Sequence, residues 1–291
     1  MSTQTKKNSF SEINSYRELL DSQRFEEQII NGISGYYDKI EKVFLDENIF
    51  KILYDTIKPE KNFQISDNDI IKSKKRVQNI IAEKNSKGKD SYSQIFTSYL
   101  SNRFLLQHKN ETKKMCIFYI DLVGSTSLTA ILSSVQLSKI IKLFFQEVSI
   151  FLSKNNGYVL KYAGDAVIGY FPGVQDIKNA CNDAVRCAKS IQKIIESSIN
   201  EILYDNGYPK IRTRISIDSG ENQIVVLGSE PDLLGHIISR AAKIMSVANH
   251  NQIVIGDNVF MNLDQNLQDN FKKQGKFMLH ETGERYSVHL S

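Results

Sequence analysis

Two aspartates in this chain stand at the ends of short apolar runs, where a carboxylate contributes nothing to a core. The run "MCIFYID" (115–121) is of strand length and stops at Asp121. "LKYAGDAVIGYF" (160–171) reads as a hairpin with Gly164 and Asp165 at its tip and Lys161 four residues before the aspartate. Taken alone, Gly-Asp is ordinary turn chemistry. Side by side, two carboxylates repel unless a cation lies between them, and hard ions such as Mg2+ or Mn2+ bind through one or two carboxylates plus a substrate's phosphates. A pair of such ions, typically about 3.5–4 Å apart, activates an attacking oxygen and neutralises charge on leaving phosphates. The loop after Asp121, "LVGST" (122–126), adds Gly124, Ser125 and Thr126 at the start of the next segment, where backbone N–H groups readily hold anions.

The elements around these residues follow a definite order. After the strand ending at Asp121, "SVQLSKIIKLFFQEVSIFLSKNNG" has a serine cap, helical spacing and Gly157 past its end. The hairpin comes next. "DIKNACNDAVRCAKSIQKIIESSINEIL" then places Ile177, Cys181, Ala184, Ala188, Ile191, Ile195, Ile199 and Ile202 on one helical face, and "KIRTRISID" is a strand. This is the α+β, ferredoxin-like β-α-β-β-α-β arrangement, in which Asp121 and Asp165 lie on neighbouring strands. "NQIVVLG" is expected to pair with the strand before it, "DLLGHIISRAAKIMSVA" to run from loop into helix, "NQIVIG" to form a further strand, and "GKFMLHETGERYSVHL" to close the chain as a hairpin turned at "ETGE". Residues 1–110 differ in texture. "RFEEQIINGISGYYDKIEKVFLDENIFKILYDTI" (24–57) reads as helices interrupted near Gly32, Gly35 and Pro59, and "DNDIIKSKKRVQNIIAEK" as another helix capped by Ser66 or Asp67. The expected organisation is a helical N-terminal region over 1–110 and a second domain over 111–291.

Composition sets the frame for any function. The chain has 291 residues, 41% of them hydrophobic, and 37 basic against 33 acidic side chains that are interspersed rather than gathered into a stripe. Nucleic-acid binding is therefore not indicated. Cys116, Cys181 and Cys187 form no CxxC pair and point to a reducing, cytoplasmic setting. No apolar run near these motifs is long enough to span a bilayer. His236 and His250 are isolated, with no partner at metal-ligand spacing.

"FYIDLVGST", "LKYAGDAVIGYF" and "DLLGHIISRAAKI", in this order and spacing, resemble the catalytic domain of class III adenylate and guanylate cyclases. The resemblance covers the second domain. It implies an enzyme that converts a nucleoside triphosphate into a 3',5'-cyclic nucleotide and pyrophosphate at sites shared across a homodimer, with two Mg2+ or Mn2+ ions per site. By the same resemblance, Asp121, Asp165 and the backbone carbonyl of Leu122 fall on metal ligands, and Lys161 and Asp232 on base-reading positions that favour adenine, hence ATP and cyclic AMP. An ammonium can donate to adenine's ring nitrogen and a carboxylate can accept from its amine. Ser239 stands where the family usually has asparagine, orienting the ribose. Lys243 stands where it usually has arginine, holding the phosphates as charge moves to the leaving group.

Lysine keeps the charge and loses the planar bidentate fork. Losing one well-placed donor costs roughly 10²–10³-fold in rate. Lys276 and Arg285 are both candidates for the family's phosphate-binding lysine. The altered helix leaves open a pyrimidine cyclase making cyclic UMP or cyclic CMP, a divergent branch of the same family, and a nucleotide-binding dimerisation module without turnover. A diguanylate cyclase is disfavoured because the tip reads "AGDAV", without a second acidic residue.

Overall fold

The computed structural model describes residues 17, 20–82, 89–174, 176–279 and 284–291. It opens with three short antiparallel strands, β1 (Phe25–Ile30), β2 (Ile33–Asp38) and β3 (Val43–Asp46), where helices were expected. Asn31 and Gly32 both adopt positive φ, 51° and 76°, the two-residue turn that matches strand twist, and they set Ile30 opposite Ile33. The helix-spaced isoleucines Ile29 and Ile33 are 73% and 54% exposed, while strand register buries Phe25, Tyr36 and Leu45. The Asn-Gly turn thus overrides a chance helical periodicity. Asp38 closes this unit, fully buried and bonded by Arg24 Nη2 at 2.6 Å and by the Tyr92 hydroxyl.

Helices do follow. α1 (Glu47–Ile57) is capped by Asp46, and α2 (Asp67–Ile81) by Ser66 in a reciprocal box with Asp69. α3 (Lys89–Gln107) lies along the edge of the main sheet. The chain then runs β4 (Thr112–Leu122), α4 (Ser125–Ile131), α5 (Ser134–Lys154), β5 (Tyr158–Ala163), β6 (Ala166–Pro172), α6 (Ile177–Ile194), a π-helical turn over Ile195–Ile199, α7 (Asn200–Asp205) and β7 (Thr213–Leu227). β8 (Glu230–Leu234), α8 (His236–Ile244), β9 (Ile253–Gly256), α9 (Asp257–Phe260), α10 (Gln265–Gln268), β10 (Lys272–Leu279) and β11 (Glu284–Leu290) complete it. The turn expected at "ETGE" lies outside the described residues.

The main sheet has eight strands in the order β10-β11-β9-β7-β4-β6-β5, with β8 paired to β7. Its β7-β4-β6-β5 portion is the ferredoxin-like order read from the sequence. One expectation is corrected here. "NQIVVLG" does not fold back on "KIRTRISID"; both belong to the single long strand β7, and its pairing partner is β8, through Gln223 opposite Leu234. The Ser219-Gly220 pair makes no turn. Gly220 instead admits α8, because a Cβ there would stand 2.5 Å from Ile237 Cδ1. The start of "DLLG" is likewise strand rather than loop.

α5 and α6 pack against the sheet, and their apolar faces, including Leu143, Phe144, Phe151, Cys181, Ala184 and Ile191, are buried. α8 covers β7 from the other side, where Ser216 Oγ donates to the Ala241 carbonyl at 2.7 Å. At the β5 edge, Phe104 of α3 stacks on Tyr158 with ring centroids 5.0 Å apart, and Tyr158 stacks on Tyr170 at 5.3 Å. Phe25, Phe50, Phe96 and Phe104 join the same buried cluster as Ile117, Phe144 and Phe171, so the core runs without a break from the N-terminal elements into the main sheet. Among the described residues no helix is long and apolar enough to cross a membrane.

Candidate active site

β4 is central in the sheet, flanked by β6 and β7, and this position assembles the site. Asp121 lies opposite Ala166 on β6 and opposite Arg214 on β7. Asp165 immediately precedes Ala166, so the two aspartates stand at the same end of adjacent strands, as the hairpin reading anticipated. Gly164, at φ 64°, makes the tight turn that puts Asp165 at the tip. Gly124, at φ 75° and ψ 25°, turns the chain from β4 into α4, whose first turn no side chain caps. Ser125 and Thr126 thus start α4 just beyond the end of β4 that carries Asp121.

Arg214 is a residue the sequence reading missed. Its Nη2 lies 2.8 Å from Asp121 Oδ2 and its Nε 3.3 Å from Oδ1, so the guanidinium spans both oxygens of the carboxylate. The signal in the sequence was a basic residue amid "RISI", and only the register with β4 gives it meaning. Asp165 is half-buried at the tip. The oxygens that the family resemblance assigns to a metal here are all hard donors: the carboxylates of Asp121 and Asp165 and the main-chain carbonyl of Leu122. No group of three or more His, Cys, Asp and Glu suited to a metal occurs among the described residues. Such a sparse set fits Mg2+ or Mn2+, which bind through one or two carboxylates and complete their shell with water and substrate phosphates.

Lys161 and Asp232 meet although 71 residues separate them: Lys161 Nζ donates to Asp232 Oδ2 at 2.7 Å. Asp232 is further held by the Leu233 N–H, which donates to Oδ1 at 2.8 Å. Lys161 pairs in register with Ile168, and Ile168 with Tyr119, so these three share a row across the sheet face, one row along from Asp121, Ala166 and Ala163. Burial and the nearby Asp232 charge both raise the Tyr119 hydroxyl above the ordinary tyrosine range. Tyr119 therefore borders the Lys161–Asp232 pair, a second neighbour not picked out from sequence. A bulge at Leu160 aims Lys161 to this face while Tyr162 turns to α5, where its hydroxyl lies 2.8 Å from Ser149 Oγ.

α8 carries Ser239 and Lys243 one helical turn apart, with Ser239 exposed and Lys243 half-buried. Arg240, between them, turns inward and is buried against Asp218, so it does not take over the place of Lys243. Of the two candidates in the C-terminal hairpin, Arg285 is exposed on β11, and the side chain of Lys276 on β10 lies outside the described residues.

These features match a known family. Residues 107–290 fit the model of the adenylate and guanylate cyclase catalytic domain. The chain is 25% identical over 193 residues to a cytidylate cyclase from Escherichia coli, an alignment covering 56% of this chain and 38% of that protein. It is 27% identical over 172 residues to a cytidylate cyclase from Staphylococcus aureus, covering 55% and 40% respectively. The chain thus spans about two fifths of the length of these relatives. Among solved structures, the adenylyl cyclase CyaB from P. aeruginosa superposes with a TM-score of 0.57 at 19% identity, over 62% of this chain and 94% of that one. The guanylate cyclase domain of RhGC from Catenaria anguillulae, in complex with GTP, gives 0.53 at 18% identity over 62% and 97%. By its fold, its paired aspartates and the family model that covers most of it, the chain belongs to the class III nucleotidyl cyclases.

Proposed function

We propose that this chain converts CTP into 3',5'-cyclic CMP and pyrophosphate at sites formed between two copies of itself. The observation that supports an amine-bearing base, cytosine or adenine, is the Lys161–Asp232 pair. Cytosine presents a ring-nitrogen acceptor at N3 beside an amine donor at N4. The Lys161 ammonium can donate to the first while the Asp232 carboxylate accepts from the second. Uracil and guanine present the reverse pattern on that edge, an N–H beside a carbonyl. Adenine presents the same pattern as cytosine, so ATP is the second reading, favoured by the same pair; kinship with relatives named cytidylate cyclases tips the choice to cytosine.

In the reaction the 3'-hydroxyl oxygen attacks the α-phosphorus and loses its proton, the bond from that phosphorus to the bridging oxygen breaks, and pyrophosphate leaves. Asp121, Asp165 and the Leu122 carbonyl would hold Mg2+ or Mn2+, which when bound supplies Lewis-acid stabilisation of the attacking and leaving oxygens. Arg214 neutralises Asp121 and has a fork suited to phosphate oxygens. The N–H groups from Gly124 to Thr126 favour the triphosphate. Ser239 can hydrogen-bond the ribose, and Lys243 places positive charge where the leaving group gains negative charge. In this reading residues 111–291 form the cyclase domain, and the described elements before it, β1 to α3, share its buried core.

Purified protein with Mn2+ and, separately, ATP, GTP, CTP and UTP tests the proposal, with products identified by mass spectrometry. Cyclic CMP is expected as the main product. Cyclic AMP in its place overturns the base assignment, and no cyclic product from any triphosphate overturns the cyclase reading.

A further inference from the structure

On the inner side of α8, opposite Ser239 and Lys243, lies a buried polar cluster that the proposed chemistry does not use. Asp218, on β7, is fully buried, and Arg240, on α8, is 8% exposed. The Arg240 Nε donates to Asp218 Oδ2. The Tyr286 hydroxyl, on β11, donates to Asp218 Oδ1 at 2.8 Å and accepts from the Asn258 N–H of α9 at 3.1 Å. The Arg240 guanidinium lies 4.1 Å from the centroid of the Tyr286 ring. The space is closed. A Cβ on Gly256 would stand 2.5 Å from both Asp218 Oδ1 and the Tyr286 hydroxyl oxygen.

A buried ion pair of this kind is poor at raising stability, because desolvation offsets its attraction, and an apolar replacement of equal volume often does as well. It excels at fixing one geometry, since each donor must meet its acceptor. Here the fixed object is α8. Without the cluster, α8 would rest on the sheet through the buried Ile237 and Ala241, through Ile244 packed in one cluster with Val254, Val288 and Leu290, and through the Ser216 to Ala241 hydrogen bond, contacts that tolerate a small rotation. With it, the helix is clamped between β7, β11 and α9, and its rotation about its own axis sets where Ser239 and Lys243 point.

We infer that Asp218 and Tyr286 are positioning residues for catalysis, acting through Arg240 to hold α8 at the rotation that presents Ser239 and Lys243 to the substrate. The catalytic part of this inference rests on the cyclase reading. The clamp itself does not.

Two measurements on the full chain separate them. Tyr286→Phe removes one hydrogen bond without emptying space, and Asp218→Asn removes the charge at nearly constant volume. Amide hydrogen exchange is expected to accelerate across 236–244 in both variants while the β5–β6 hairpin is unchanged. Equal protection of α8 in variant and parent overturns the clamp whatever the enzyme does. With the triphosphate that the parent turns over best, Tyr286→Phe is expected to lower kcat by about 10-fold or more with KM within about threefold, the pattern of an interaction felt in the transition state. Combining Tyr286→Phe with Lys243→Ala is expected to cost less than the product of the two single losses, because both act in part through one side chain on one helix. Additive losses, or a rise in KM alone, overturn the positioning role. A parent inactive with every triphosphate refutes the cyclase reading and leaves the exchange result to decide the clamp.

Discussion

Asp121 is a residue on which a large single loss of activity is expected. It holds one half of the candidate metal pair and is the carboxylate that Arg214 spans. Asp121→Asn keeps the shape but halves the charge available to a divalent ion. Since even outer partners of metal ligands cost 10–100-fold when changed, a ligand itself should cost at least roughly 10²-fold in cyclic nucleotide formation. Activity and Mn2+ requirement both unchanged from the parent would show that the residue is not needed at the metal. Lys243→Ala belongs at the same scale. It removes the donor expected to follow the developing charge, so a fall in kcat of roughly 10²–10³-fold is expected with binding of the triphosphate little changed. Ser239 and Lys243 were legible as departures from the family pattern, and their spacing put them on one helical face. Arg214 and Tyr119 were not legible, because nothing local marks them; each acquires a role only from what lies across the sheet.

At the scale of elements, two caps were readable: Ser66 begins α2 and a serine, Ser133, begins α5, where local chemistry provides an acceptor for the free N–H groups. The Asn31-Gly32 turn was equally local, yet the isoleucines around it hid a hairpin behind helical spacing. α3 was not singled out at all, although it supports the strand that carries Lys161. Phe104 is 3% exposed and lies between Tyr158 and His108, with ring centroids 5.0 Å and 4.7 Å away. Phe104→Ala should therefore cost about 3–5 kcal/mol of stability, measured by urea unfolding. A loss below about 1 kcal/mol would show that α3 is not a structural support for the β5 edge.

At the scale of the molecule, one chain carries both the aspartate pair and the Lys161–Asp232 pair on neighbouring rows of one sheet face. If two copies share sites, Asp165→Ala chains and Lys161→Ala chains, each inactive alone, should regain part of the activity when mixed, because one mixed interface retains both intact halves. No rescue in confirmed mixed dimers would place each complete site within a single chain. The linear sequence by itself determined the chemistry-bearing side chains, the β-α-β-β-α-β order from β4 to β7, and the caps that start α2 and α5, because each depends on residues a few positions apart. Only the tertiary structure decided that Arg214 rests on Asp121 across 93 residues, that Lys161 reaches Asp232 across 71, and that Asp218, Arg240 and Tyr286 converge beneath α8. Those contacts are set by sheet register and by the packing of one helix, which belong to the whole chain and leave no local pattern.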